Sequence, residues 1–300
     1  MRYRPFGPSG AAVSAITLSV GADMLARGRE AAMSLLFAAL EQGINSYRLE
    51  TADPVVAEVL GEALSHLDRK LALVSLTLGE VDPRRQVRDF TSEGITAAVD
   101  RVLHYSGLGW IDVAVLDAPG EHELRYAGLN ALKTMKRTER LRLAGVAGDG
   151  EAMDAFVSTG AFDVLVTPCN VRSDWKVRAR IRAAREQDMM VFATDYFPQA
   201  LLREPEGDIS PVRRGLFGLG AKAAAPSPVG PDPYAFLRRT ARWTPETICL
   251  AHALTDPALT SVIVRAQDTA HLEALSETPE RDLPPGLAAQ MEMARVDAAA

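Results

Sequence analysis

Short apolar or β-branched runs alternate along this chain with longer segments of helical period, a rhythm that predicts βα units and a parallel sheet. The predicted strands are residues 15–20, 46–49, 71–78, 111–116, 141–146, 164–167, 190–194 and 261–263. Their near-continuous apolar character is that of strands covered on both faces. The intervening segments are amphipathic. Residues 29–42 carry Ala31, Leu35, Ala38 and Ala39 at helical spacing, with Gly43 placed to end the helix. Residues 94–103, 127–138, 174–187 and 244–254 behave in the same way, the last with Thr244 as N-cap and Pro245 at the first helical position. Eight strand–helix pairs predict an α/β fold, a (β/α)8 barrel with its helices as an outer ring.

One stretch breaks the rhythm. Residues 203–233 are dense in Pro and Gly, including the run 223–231, and predict a long loop after the seventh barrel strand. Loops at that end of a barrel build the functional mouth, so the segment is either a flap beside a ligand or a surface excursion.

Composition narrows the class. A 300-residue chain with 47% hydrophobic residues supports one large core, and residues 1–300 are expected to form a single domain. With 33 Lys+Arg against 39 Asp+Glu, the net charge of −6 argues against a general nucleic-acid binder. Cys169 and Cys249 are too few for a disulfide framework or a cysteine metal site, so both are expected as buried small hydrophobes and no metal is expected. No apolar run reaches the roughly 18–20 residues of a membrane span, and the start has no signal-peptide pattern, so the expected location is cytoplasmic.

Several segments then carry a resemblance. They are the opening residues 1–14, Glu41-Gln42-Gly43-Ile44-Asn45, residues 59–64, Trp110-Ile111-Asp112-Val113, residues 163–168 with Asn170, and Thr260-Ser261-Val262-Ile263. In this order, over most of the chain, they resemble the aldo-keto reductases. That resemblance implies a barrel closed below by an N-terminal hairpin, and carbonyl reduction with NAD(P)H. It also implies four roles: a Tyr general acid, a Lys that lowers the Tyr pKa, an Asp that holds the Lys, and a His that orients the substrate. The logic is physical, because a phenol of pKa ~10 is a poor acid at neutral pH without a neighbouring cation.

The residues at those positions do not supply the roles. Glu50, in Glu50-Thr51-Ala52-Asp53, stands for the Asp, although an ungapped count from Asn45 puts Arg48 there instead. Val55 stands near the Tyr position, Thr77 for the Lys to within one residue, and Asp117 for the His. No phenol and no cation is expected at the reaction centre, and a carboxylate there opposes developing oxyanion charge. No catalytic residue is therefore assigned. Tyr47 and Tyr196 are candidate replacement acids or, alternatively, packing residues. His66, His104, His122 and His252 lack mutual spacing for acid–base or metal work.

The resemblance also implies a dinucleotide held by the ends of the fifth to eighth barrel strands. The residues matching that set are Asn170, Thr194, Tyr196, Phe197, Gln199, Arg265, Gln267, Asp268 and His271. Arg265, beside a helix N-terminus, suits a pyrophosphate, with an ordinary surface Arg as the alternative. Asp268 would repel a 2′-phosphate, which favours NAD(H) over NADP(H).

A bound nucleotide without turnover implies a non-catalytic regulator. Within the family, the degenerate pattern resembles NAD(H)-binding cell-division regulators of alphaproteobacteria, which implies a tubulin-like division GTPase (FtsZ) and a histidine kinase as partners. Two features are compatible with protein binding. Lys176, Arg178, Arg180, Arg182 and Arg185 on one helix, with Lys133, Lys136, Arg137, Arg140 and Arg142 from the fourth helix and the strand after it, predict local basic surfaces. The end, residues 295–300, predicts a flexible tail finishing in Ala298-Ala299-Ala300, which resembles tails taken by AAA+ proteases. Two alternatives stay open: a working reductase with a rearranged site using Tyr47 or Tyr196, and an interaction barrel that has lost its cofactor.

Overall fold

Backbone hydrogen bonding resolves the strand–helix rhythm into a ring. The structure, a computed structural model, describes residues 1–7, 10–79, 88–120, 122–124, 126–198, 201 and 233–299. Strands β1 (Tyr3–Phe6) and β2 (Ala11–Ser14) pair antiparallel as a hairpin. Eight further strands follow: β3 (Ile16–Val20), β4 (Ser46–Leu49), β5 (Leu73–Leu78), β6 (Ile111–Asp117), β7 (Leu141–Ala147), β8 (Val164–Pro168), β9 (Met190–Thr194) and β10 (Ser261–Val264). They are parallel in sequence order, and β10 pairs with both β9 and β3, so the barrel is closed and has no edge. Around it lie α1 (Arg29–Glu41), α2 (Pro54–Leu64), α3 (Ser92–Ser106), α4 (Tyr126–Arg137), α5 (Glu151–Ser158), α6 (Trp175–Glu186), α7 (Pro245–Leu254), α8 (Thr269–Glu277) and α9 (Leu287–Ala299). The eight predicted strands all fall in the ring, two of them with the predicted bounds.

The pleat divides each strand between two cores. Leu18, Leu49, Leu76, Leu116 and Leu165, one from each of five strands, face the helices and join the large outer core. Inward residues form a smaller core of Val113, Val115, Val164, Val166, Met190 and Phe192, sealed at the base by Phe6 and Val13 of the hairpin. Phe6 meets Phe192 edge to face at 6.2 Å. The interior is two-sided. Against that apolar wall, β3, β4 and β10 present hydroxyls, with Thr17 bonded to Ser46 at 2.8 Å and to Ser261 at 2.7 Å.

Asp112 anchors the base of β6. Its buried carboxylate accepts from Arg69 at 2.7 Å, the Val74 amide at 2.9 Å, the Trp110 indole at 3.0 Å and Arg142 at 3.2 Å. Both guanidinium groups also stack on the Trp110 ring, at 4.5 and 4.2 Å.

Two expectations change, and a third falls outside the described residues. Residues 295–299 are helical, since α9 runs to Ala299; Ala300 lies outside the described residues. The Pro/Gly-rich segment 203–233 lies outside them too, apart from Pro233. Cys249 is buried but Cys169 only half so, although burial raises both thiols, to about 12 and about 11. Among the described residues no helix is long and apolar enough to cross a membrane.

Half of the residues expected to form the basic surfaces are paired within the molecule. Arg178 pairs with Glu292 of α9 at 2.7 Å, and buried Arg180 pairs with Asp154 at 2.6 Å and with Asp149. Lys136 pairs with Asp163 at 2.8 Å, Arg140 with Asp100 at 2.5 Å, and Arg142 with Asp112. Charge counted along the sequence overstates the surface potential because these carboxylates arrive from other elements.

Replacing Asp112 by Ala leaves the Val74 amide unpaired, while Arg69 keeps its bonds to the Leu108, Ala72 and Trp110 carbonyls, and should cost about 1–3 kcal/mol of unfolding free energy in a urea titration. A midpoint within error of the parent would mean the base is held by packing alone.

Candidate functional site

The carboxyl ends of the barrel strands surround a cavity of about 1240 Å³. Chain reversals at its rim need unusual backbone: Ala118 after β6 and Asp195 after β9 adopt positive φ, 43° and 49°. Glu50, Thr77, Asp117, Thr194, Tyr196, Phe197, Arg265, Gln267, Asp268 and His271, all singled out from sequence, line this one cavity. Two do not. Val55 sits in the first turn of α2, which Asp53 caps, and its side chain is 53% exposed outside the cavity. Asn170 lines a second cleft of about 850 Å³ beside α5 and α6. Its amide is occupied there, donating to the Asp195 carbonyl at 3.0 Å and accepting from the Arg172 amide at 2.9 Å. Gln199 lies outside the described residues.

The floor of the cavity corrects the expectation that no cation waits there. Arg48 of β4 lines the cavity, and its Nε donates to the Thr77 hydroxyl of β5 at 3.0 Å. Burial pulls the guanidinium below its ordinary pKa, opposed by Asp117 and Glu50; an arginine starting near ~12.5 remains charged at neutral pH. Both carboxylates are already engaged. Glu50 accepts from Ser19 at 2.6 Å and from Arg265 at 2.5 Å, while Asp117 accepts from Arg88 at 2.5 Å. Gly21 leaves the room Glu50 needs, since a Cβ there would collide with its carboxylate. The signal for Arg48 was the pleat: with Ser46 turned to the hydroxyl seam, the residue two further on shares its face.

Neither replacement phenol is free. Tyr47 faces the helices, wholly buried, with its hydroxyl donated to the Ile44 carbonyl at 2.7 Å. It does not line the cavity, among whose described lining residues Tyr196 is the one tyrosine and there is no lysine. Tyr196 donates its hydroxyl to Glu246 at 2.7 Å, and burial together with that negative charge raises its pKa far above the ordinary phenol. Glu246, in the first turn of α7, also meets His271 Nε2 at 3.0 Å. His271 Nδ1 accepts from the Gln267 amide at 3.2 Å, so the neutral ring carries its proton on Nε2, toward Glu246. The four residues join β9, α7 and α8 into one wall.

At the other rim Asp268 caps α8 by accepting from the His271 amide at 2.9 Å, and lies 3.5 Å from Arg27. The anion position at that helix N-terminus is thus filled by the chain's own carboxylate. Arg265 reaches away from it, toward Glu50 and, at 3.8 Å, Asp23.

Neither a protein-family model nor a curated protein sequence matches the chain. Solved structures do. The holo form of the aldo-keto reductase AKR11C1 from Bacillus halodurans superposes with a TM-score of 0.76 at 16% identity, over 98% of this chain and 96% of that one. Its apo form gives 0.70 at the same identity and coverage. The chain has the aldo-keto reductase fold.

On that fold the cavity holds charge without a proton relay. Arg48 offers fixed positive charge and directed N–H groups, but a guanidinium does not give up its proton near neutral pH. Tyr196 and His271 hold protons that point at Glu246 rather than at the floor. Such an arrangement can bind and orient polar groups.

The Glu246–His271 pair also sets a pH dependence. The Glu246 hydrogen bond raises the imidazole pKa. Burial pushes the Glu246 carboxyl upward, but hydrogen bonds from His271 and Tyr196 outweigh it and hold it below its ordinary value. A raised His stabilises below ~6.5 and loses that contribution as pH climbs through its folded value; a depressed Glu stabilises above ~4.3 and loses it on acidification. The pair's contribution should therefore be full between about pH 4.3 and 6.5. Glu246→Gln should return the His271 NMR titration toward ~6.5 and remove the stability advantage in that window. An unmoved His271 titration in the variant would deny the coupling.

Proposed function

We propose that this protein is a non-reducing member of the aldo-keto reductase superfamily that holds NAD(H) in the mouth cavity and acts through its nucleotide-dependent surface on protein partners. The observation that carries the reading is the state of the phenols: Val55 stands outside the cavity at the tyrosine position, and Tyr196 is locked to Glu246 with a raised pKa. A carbonyl bound at the floor would meet positive charge but no acid.

Support for a dinucleotide comes from the cavity's size and from its wall. Its volume of about 1240 Å³ exceeds that of drug-sized sites, commonly ~300–1,000 Å³. Tyr196 and Phe197 offer aromatic surface, while Arg27 and Arg265 offer cations near the loop after β10. The holo form of the structural neighbour is also the better superposition, 0.76 against 0.70. The residues fit the group in part: a pyrophosphate must draw Arg265 from Glu50 and share the α8 N-terminus with Asp268. The Asp268 carboxylate there disfavours a 2′-phosphate, so NAD(H) is preferred to NADP(H).

The protein partners rest on the resemblance to KidO-like cell-division regulators, which points to a tubulin-like division GTPase and a histidine kinase. Regulation through a partner requires that it bind the nucleotide-bound and free forms with different affinity. Removal of the chain's last three residues, Ala298 to Ala300, should lengthen cellular half-life if an AAA+ protease engages that end; an unchanged half-life removes the protease from the proposal.

The primary test is a fluorescence titration with NADH and NADPH, followed by a panel of aldehydes and ketones. Binding of NADH without oxidation is the expected result, and Arg265→Glu should weaken it about tenfold, the scale of one charge-assisted contact. Carbonyl-dependent oxidation of NADH would overturn the non-reducing reading, and absence of binding would leave a scaffold.

A further inference from the structure

Arg48 is the one charged side chain of the barrel's strands that the reductase-type machinery does not account for and the fold does not consume. Its Nε is fixed by Thr77 at 3.0 Å, and the side chain lines the cavity. Among the described residues, nothing accepts a hydrogen bond from its two terminal nitrogens. Among the described residues no fully buried side-chain nitrogen lacks a partner, so these nitrogens are accessible in the cavity that Arg48 lines. The neighbours that would otherwise neutralise Arg48 are held elsewhere, Glu50 by Arg265 and Ser19, and Asp117 by Arg88. Glu50 and Asp117 thus each have a cation of their own, and Asp195, the third carboxylate that acts on Arg48, makes no hydrogen bond to it. A guanidinium held by one edge and open at the other suits a planar two-oxygen acceptor.

The wall across from it sets the rest of the ligand. In the closed ring β8 stands four places from β4, diametrically opposite. Val166 of β8 and Ala147 of β7 face inward there and line the same cavity, as does Phe197. A ligand on Arg48 would lay an apolar body on that wall.

We propose that the cavity floor is a carboxylate-binding site, in which Arg48 takes the carboxylate of a small organic acid and Ala147, Val166 and Phe197 take its apolar part. The site uses neither the rim cations nor the β10 loop, so it stands whether or not a dinucleotide occupies the mouth. Thr77 fixes the Nε edge of the guanidinium.

Benzoate and benzamide share a shape and differ in charge, and both are measured by isothermal titration calorimetry on the full chain, alone and with saturating NADH. Benzoate should bind the parent in at least one of these conditions and at least about tenfold more tightly than benzamide, as expected for a charge-assisted pair. Arg48→Gln should abolish that preference, and Arg48→Lys, which keeps charge without the fork, should retain part of it. The benzoate–benzamide comparison in the parent needs no variant, so a misfolded Arg48→Gln leaves the test intact. Equal binding of the two probes, no benzoate binding in either condition, or undiminished benzoate affinity in a folded Arg48→Gln would overturn the proposal. NADH titration in the same samples separates this result from the fate of the dinucleotide reading.

Discussion

The constraint on which the site depends is the pleat of β4 in a closed barrel. A strand sends successive side chains to opposite faces, and closure leaves no edge at which register can drift. Once Ser46 joins Thr17 inside, Tyr47 must join the helix-facing core and Arg48 must enter the cavity. A one-residue slip would exchange them, burying a guanidinium among Leu36, Leu60 and Leu76 and presenting a phenol to the mouth. Desolvating an unpaired guanidinium in that layer is prohibitive, so the register that removes the phenol from the cavity is also the one that the outer core enforces.

Around Arg48 the charges are arranged as latches. Arg265 closes on Glu50, Arg88 on Asp117, and Arg27 on Asp268, so cations from the loops after β10, β5 and β3 each bridge to another element. Such pairs, exposed to solvent on one side, contribute little stability individually. Their effect is on binding. An anionic ligand reaching the rim competes with the protein's own carboxylates and gains only the difference, whereas one reaching the floor meets Arg48, two of whose neighbours, Glu50 and Asp117, are paired with other cations. The electrostatics therefore grade the cavity from a self-neutralised rim to a receptive floor.

The barrel was legible because its evidence is repeated. Eight apolar runs separated by amphipathic helices support one another, and an error of a residue or two at a strand end, such as 71–78 against Leu73–Leu78, leaves the topology unchanged. Most rim residues were legible for the same reason: Thr194, Tyr196, Phe197, Arg265 and Asp268 follow strand ends and so reach the mouth together. What the sequence did not disclose are contacts between elements remote in the chain. Tyr196 is tied to Glu246, fifty residues on, and Arg178 to Glu292, more than a hundred on. Asn170 had the right residue type and strand end, but its amide is spent on a local turn and it lines a different cleft. Arg48 was visible as one of two registers for the acid position; choosing the cavity-lining role required only the inside–outside pattern of β4.

The character of the site follows from what replaced the expected lysine. A lysine ammonium is a compact charge whose pKa shifts with its surroundings, and beside a phenol it makes an acid of it. Here Thr77 holds that strand position and the charge comes from β4 as a guanidinium. Arginine keeps its proton across the physiological range and presents a rigid fork. With the phenols turned to Glu246 and Ile44, no tyrosine among the described residues offers such a charge a proton at the floor. Arg48, placed opposite an apolar wall, holds fixed positive charge and directed N–H groups there.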